Sequence, residues 1–182
     1  MERRALTYII VAALLMAGSM TAQTRQPVER HASGKHLAKK APIIAEADGF
    51  TLRRAHDSLY WLNDWRLPYP VYQFQTGDVD GDGSTDAMVG VVKATRFYPE
   101  KGRRLFIFKQ VNKKARPLWM GSKLGGILED FRYIDGKIRA LESTTDSLYV
   151  VSDYTWDSFG MKFDHYIIKG VNKETATKSF SQ

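Results

Sequence analysis

The chain has 182 residues, a formal net charge of +7 and no cysteine. The length suits one ordinary domain with residues to spare. The absence of cysteine excludes disulfide scaffolds, cysteine-ligated zinc sites and cysteine nucleophiles. The positive charge would indicate nucleic acid or an anionic surface as a partner, provided that it lies on the folded part of the chain.

Residues 1–22 have the pattern of a secretory signal peptide. Arg3 and Arg4 form a short positive region, and an uncharged apolar run follows over residues 5–17. This run is shorter than the roughly 20 residues of a spanning helix, so we predict cleavage after Ala22 rather than retention as an anchor. A lipoprotein signal would need a cysteine at the cleavage site. We therefore predict a secreted or periplasmic protein, exported by a bacterium.

Residues 23–45 mix Pro, Gly, Ser, Gln and basic residues without a sustained period, which predicts a flexible linker. Five Lys and Arg against one Glu give this segment a charge of +4, and the signal carries +1, so residues 46–182 retain only +2. The basic charge therefore belongs mainly to a tail, and we do not predict a nucleic-acid partner. Contact of the tail with anionic lipid or cell-surface polysaccharide stays open as a hypothesis.

Residues 46–182 predict a single all-β domain of antiparallel sheets. Short apolar or alternating runs between turn residues predict about ten strands, and no window has the sustained apolar stripe of a helix. One alternative is a short helix within 52–63, because that segment does not alternate cleanly. The predicted strands are 50–54, 58–63, 69–75, 86–93, 104–111, 115–119, 127–134, 137–143, 147–156 and 161–168.

Two hairpins follow from turn chemistry. Asp135-Gly136 favours a two-residue type I′ turn, and the resulting register places Arg132 directly opposite Arg139. Because facing like charges are unfavourable, we expect a carboxylate such as Asp130 between them, a bound anion, or a solvated face. The same register pairs apolar residues on the other face, Tyr133 with Ile138 and Phe131 with Ala140. The second predicted hairpin spans 147–168 and turns at 157–160.

A short sequence, later called the Asp-Ser-Leu-Tyr echo, occurs twice in the predicted domain. The sequence Asp-Ser-Leu-Tyr occurs at 57–60 and again at 146–149. It is typical either of two equivalent sheet units or of two similar turns that enter strands.

The segment 77–90, GDVDGDGSTDAMVG, contains aspartates at a spacing that suits calcium. Positions 1, 3, 5 and 9 of the loop are Asp78, Asp80, Asp82 and Asp86, and Ser84 at position 7 can offer its backbone carbonyl. Oxygen ligands at these spacings surround a cation of calcium size, whereas Mg²⁺ asks for fewer carboxylates and retained water. Four neighbouring carboxylates also repel one another without a cation. The alternative is an Asp- and Gly-rich turn that binds no metal.

The loop is not predicted to be an EF-hand. Position 12 is Val89 instead of the bidentate Glu. The flanking segments 71–75 and 87–92 have the patterns of an alternating strand and a buried strand, so the prediction is a strand–loop–strand calcium site.

This segment resembles the FG-GAP/VCBS repeat of integrin-α-type β-propellers, and the likeness covers about 69–93 as a single repeat. The resemblance implies that acidic side chains hold Ca²⁺ between two strands of a blade. Its implied ligands are Asp78, Asp80, Asp82, Asp86 and the carbonyl of Ser84. A closed propeller has 4–8 blades of four strands, whereas about ten strands make two or three. We therefore expect a partial-propeller-like assembly or a sandwich with open edges, and no closed propeller.

Two classes of function stay open. The resemblance implies a non-enzymatic interaction module with structural Ca²⁺, binding a protein or cell-surface glycan, and open sheet edges allow self-association. The four tryptophans of the chain would either pack in the core or stack against a bound ligand: Trp61, Trp65, Trp119 and Trp156. The alternative is an exported hydrolase acting on glycans or phosphoesters, for which acids and bases are available: Glu129, Asp130, Glu142, Asp153, Asp157, Asp164 and His165. No nucleophile or phosphate-loop motif accompanies them, so we assign no catalytic residue.

Overall fold

The structure is a computed structural model that describes residues 40–96, 98–121 and 123–182. The predicted signal peptide and the predicted linker up to residue 39 lie outside the described residues. No helix in the described part is long and apolar enough to cross a membrane.

The described chain is all-β apart from one short helix. Its elements are β1 (Ile43–Ala47), β2 (Phe50–His56), β3 (Leu59–Leu62), β4 (Trp65–Leu67), β5 (Val71–Gly77), β6 (Asp86–Lys93), β7 (Gly102–Val111), β8 (Lys114–Trp119), β9 (Ile127–Ile134), β10 (Lys137–Ser143), β11 (Tyr149–Asp157), β12 (Gly160–Val171) and α1 (Lys173–Phe180). They confirm the all-β prediction and all ten predicted strands.

Four features differ from the predictions. The strand β1 begins at Ile43, inside the segment 23–45 that is predicted to be a linker. The strand β4 has only three residues and was not predicted. The alternative of a helix within 52–63 is wrong, because β2 and β3 pair there as antiparallel strands. The helix α1 was not predicted, since its sequence KETATKSF buries only Ala176 and Phe180 and shows no apolar stripe.

The twelve strands form three antiparallel sheets of four strands each. The first sheet has the order β1-β2-β3-β4, the second β5-β6-β7-β8 and the third β9-β10-β11-β12. Each sheet is a meander in which every strand pairs antiparallel with its sequence neighbour, through connections of two to eight residues. Asp135 and Gly136 both have positive φ, as the predicted type I′ turn requires, and the predicted register of that hairpin is confirmed.

The three sheets are stacked, with the second in the middle. One core lies between the first and second sheets and contains Phe50, Leu62 and Phe106. A second core lies on the other side and joins Met88 and Ile107 to residues of the third sheet. The helix α1 covers part of the outer face of the third sheet through Ala176 and Phe180. The stack is open, since the described strands do not close into a ring.

This stacking explains the continuous apolar run of β6. Ala87, Val89 and Val91 belong to the first core, whereas Met88 belongs to the second, so both faces of the strand are covered. Gly90 is needed because a Cβ at that position would lie 2.6 Å from the ring of Tyr72, which packs across it.

The turns between the first two strands of each sheet lie at one end of the stack. The first sheet turns at Asp48-Gly49, whose Asp48 carboxylate accepts a hydrogen bond from Thr76 at the end of β5 (2.6 Å). The third sheet contributes Tyr133, whose hydroxyl donates to the carbonyl of Asp78 (2.8 Å). The acidic loop is therefore held between the corresponding turns of its two neighbours.

The Asp-Ser-Leu-Tyr echo falls at equivalent places. Residues 57–58 connect β2 to β3, and residues 146–147 precede β11 after β10. Both are turns between the second and third strands of a sheet, so the echo marks equivalent positions in the first and third sheets.

Candidate metal centre

The acidic loop joins β5 to β6 as the predicted strand–loop–strand unit, with Gly77 and Asp86 paired at its base. The carboxylate of Asp78 organises the turn by accepting hydrogen bonds from the N–H groups of Asp82 (3.1 Å) and Gly83 (2.9 Å). Gly81 and Gly83 both adopt positive φ, at 72° and 82°, a conformation that glycine adopts without steric cost.

Three of the predicted ligands come together. Asp78, Asp80 and Asp86 each offer a carboxylate oxygen, and these oxygens lie within 4.8 Å of one another. A cluster of this kind could hold a metal ion. Asp82 and Ser84 are not part of this group of three; the Ser84 N–H donates to the Asp82 carboxylate at 2.9 Å.

Two oxygens of the cluster are buried without a hydrogen-bond partner among the described residues. They are Oδ1 of Asp80 and Oδ1 of Asp86. The other oxygen of Asp86 accepts from the N–H of Val79 at 3.0 Å. Since a buried carboxylate oxygen without a partner is costly, these two positions fit the donor set of a hard cation, which prefers oxygen ligands.

The site also contains a basic residue that was not predicted from the sequence, Lys109. Its ammonium group extends from β7 and lies 2.7 Å from Asp80, 2.5 Å from Asp82 and 3.9 Å from the buried Asp86. Within β7, Lys109 directly follows the buried run Leu-Phe-Ile-Phe, and this position at the end of a buried run is the only sequence signal for its role. The lysine partly neutralises the acidic loop.

The charges in the site shift one another's pKa values. Burial raises the pKa of Asp86 to about 6, against the opposing effects of the Val79 N–H and of Lys109. Hydrogen bonds from Lys109 and the Ser84 N–H hold the pKa of Asp82 below its usual range. Desolvation acts to lower the pKa of Lys109, but its hydrogen bonds to Asp80 and Asp82 outweigh this and raise it.

Tyr133 is a second contributor that the sequence did not reveal. A Cβ on Gly77 would lie only 2.2 Å from its ring, so the absence of a side chain there lets the ring cross β5 and reach the Asp78 carbonyl. The backbone N–H of Tyr133 also donates to the side chain of Gln75 at 2.7 Å. These contacts attach the loop to the third sheet.

The tryptophans lie within strands and pack rather than project from loops. Trp61 is buried, and Trp65 packs against the first core, 5.9 Å from the ring of Phe108. Trp119 and Trp156 pack against the second core. The structure therefore favours the core alternative for all four.

The acids and bases considered for hydrolysis all lie on strands of the third sheet. Asp153 is paired with Arg139, and Glu129 accepts a hydrogen bond from Ser143. Asp164 lies beside its neighbour His165 on the exposed part of β12. Glu142 is buried at a cleft in the third sheet, away from the acidic loop.

Comparison of the chain with models of known protein families, with curated proteins and with solved structures gave no match.

Proposed function

We propose that this chain is an exported interaction module whose acidic loop binds Ca²⁺ in a structural role, as in an FG-GAP-like calcium loop. The observation that carries the proposal is the pair of buried oxygens on Asp80 and Asp86 that have no hydrogen-bond partner among the described residues, beside a third carboxylate from Asp78. A calcium ion would take these oxygens as ligands and join the two ends of the loop. The four-stranded meanders, which have the strand order of propeller blades, also support this relationship.

In this proposal the ion acts on the fold and not on a substrate. The loop lies between the first and third sheets through Thr76–Asp48 and Tyr133–Asp78 contacts. Fixing the loop would therefore also fix the ends of three sheets relative to one another. The partner we propose is a protein or a cell-surface glycan, with self-association through open sheet edges as a further possibility.

A thermal melt of the full chain tests the metal. A ligand that binds only the folded state stabilises it by RT ln(1 + [L]/Kd), about 2.7 kcal/mol at a hundredfold excess over Kd. For a protein of this size we expect Tm to rise by roughly 5–10 °C from EDTA to saturating Ca²⁺. Asp80→Ala should lose most of this rise. Asp57→Ala, at an exposed carboxylate outside the loop, should keep it.

Lys109 provides the decisive second variant. If Ca²⁺ takes over the neutralising role of the ammonium group, Lys109→Met should lower Tm in EDTA and show a larger rise on adding calcium. If Lys109 is the permanent cation of the loop, the wild type will show no calcium-dependent rise, and the metal proposal fails.

The interaction role has its own test. The calcium-loaded full chain is applied to a glycan array and, in parallel, to chromogenic glycoside and phosphoester substrates. Saturable glycan binding without turnover supports the module. Turnover of a substrate would instead establish the hydrolase alternative.

A further inference from the structure

The third sheet carries a second polar site, which lies in a cleft of about 390 Å³. Its floor includes Glu142, only 1% exposed, and Tyr154. One oxygen of Glu142 accepts from the N–H of Gly126 (2.6 Å), and the other accepts from the hydroxyl of Tyr154 (2.8 Å). These two hydrogen bonds orient the carboxylate, which lines the cleft.

No cationic side chain among the described residues forms a salt bridge with Glu142. A buried carboxylate without a cationic partner is unusual, because burying the charged form is costly unless that charge is paired. Each oxygen accepts one hydrogen bond and can accept a further one. Lys123 lines the same cleft, but its ammonium group lies over the ring of Tyr98, 5.4 Å from the centroid.

Aromatic rings form one wall of this cleft. The ring of Tyr154 meets that of Phe163 nearly at a right angle, at 6.0 Å, and Phe163 in turn lies 4.7 Å from Tyr166. Phe163 and Tyr166 are 44% and 49% exposed, although both are large and largely apolar. Tyr166 already attracts one ammonium group, that of Lys169, at 5.3 Å from its centroid.

We propose that this cleft binds an organic ammonium group, which would contact the Glu142 carboxylate and the rings of Tyr154, Phe163 and Tyr166. Cations are attracted to aromatic faces, and aromatic cages recognise quaternary ammonium groups. The Glu142 carboxylate would pair with the positive charge of the ligand, so a cation should bind in preference to a neutral ligand of the same shape. This site goes beyond the calcium-loop proposal and shares no residue with it.

The test is isothermal titration of the full chain with choline and with its uncharged isostere 3,3-dimethylbutan-1-ol. We expect choline to bind saturably and the alcohol to bind at least about tenfold more weakly, a difference of about 1.4 kcal/mol. Tyr166→Ala, at an exposed ring, and Glu142→Gln should each weaken choline binding by about tenfold. Phe159→Ala, at an exposed aromatic residue outside the cleft, is the matched control and should bind choline like the wild type.

Equal affinity for choline and the alcohol would overturn the proposal, as would the absence of saturable choline binding. Wild-type affinity in Tyr166→Ala would also overturn it, and because that ring is exposed, misfolding does not obscure this result. The calcium and glycan experiments use other residues, so their failure would leave the choline result standing.

Discussion

Asp86 begins β6 with a fully buried side chain, and burial raises its pKa to about 6. Without metal, the folded state therefore binds this proton more tightly than the unfolded chain does. The contribution of Asp86 to stability is present at low pH and is lost as the pH rises through about 6. The calcium binding proposed above would depend on pH in the opposite direction, because a carboxylate ligand must be deprotonated.

We therefore predict that calcium affinity increases with pH. Proton competition at a carboxyl group of pKa about 6 should make binding at pH 5 about tenfold weaker than at pH 7. Calorimetric titration with Ca²⁺ across this range measures the effect. Asp86→Asn should bind calcium weakly and without this dependence. An affinity that is constant from pH 5 to 7 in the wild type would contradict the assignment of Asp86 as a ligand.

Gly77→Ala should destabilise the protein by about 1–3 kcal/mol, the usual cost of overpacking. The new Cβ would overlap the ring of Tyr133, which would have to move and release the Asp78 carbonyl. Urea unfolding measures the loss. In a Tyr133→Ala background the same substitution should cost much less, because contacting residues are not additive. An equal cost in both backgrounds would show that the ring is not the cause.

Among the secondary-structure elements, the hairpin of β9 and β10 has the predicted register, but neighbouring elements supply the partners of its two facing arginines. Arg132 lies directly opposite Arg139, as the turn predicts. The carboxylate that pairs with Arg139 is Asp153 from β11, at 2.9 and 3.1 Å, and not the suggested Asp130. Arg132 donates to the carbonyl of Phe180 at the end of α1. Both partners come from elements that lie beyond the hairpin.

Asp153→Ala should therefore cost about 3 kcal/mol, because it leaves a partly buried guanidinium group unpaired beside a second arginine. The matched control is Asp164→Ala, which removes the partner of Lys137 in a more exposed pair and should cost less than about 1 kcal/mol. Denaturant unfolding of both variants gives the comparison. Similar losses of stability in the two variants would show that burial does not increase the contribution of the Arg139–Asp153 pair.

For the molecule as a whole, the central position of the second sheet couples the outer two. Its strands β6 and β7 supply residues to both cores, so neither outer sheet keeps a complete core when the second sheet unfolds. A single hydrophobic unit of this size is expected to unfold cooperatively.

We predict one unfolding transition by tryptophan fluorescence and by far-UV circular dichroism. Leu62→Ala in the first sheet and Ile138→Ala in the third should each shift the whole transition by about 2–5 kcal/mol. The exposed Ile127 provides a control, since Ile127→Ala should change stability by less than about 0.5 kcal/mol. Separate transitions for the two outer sheets would contradict the coupling.

Features that depend on local periodicity and turn chemistry could be predicted from the amino-acid sequence alone. Alternation with a period of two identifies strands, the Asp135-Gly136 turn sets the register of its hairpin, and the aspartate spacing of 78–86 marks the loop. Segments with weak local patterns were not predicted, among them the three-residue β4 and the largely polar α1. The strand β1 was missed because its apolar residues adjoin a basic, linker-like segment.

Contacts between residues that are distant in the sequence depend on how the sheets pack and could not be predicted. Lys109 reaches the acidic loop because β7 pairs beside β6, and Tyr133 reaches it because the third sheet packs on the second. The same stacking buried the oxygens of Asp80 and Asp86 and placed Glu142 below an aromatic wall. Such contacts arise from the packing of whole sheets, which is driven by non-directional burial of apolar surface, so no spacing along the chain encodes them.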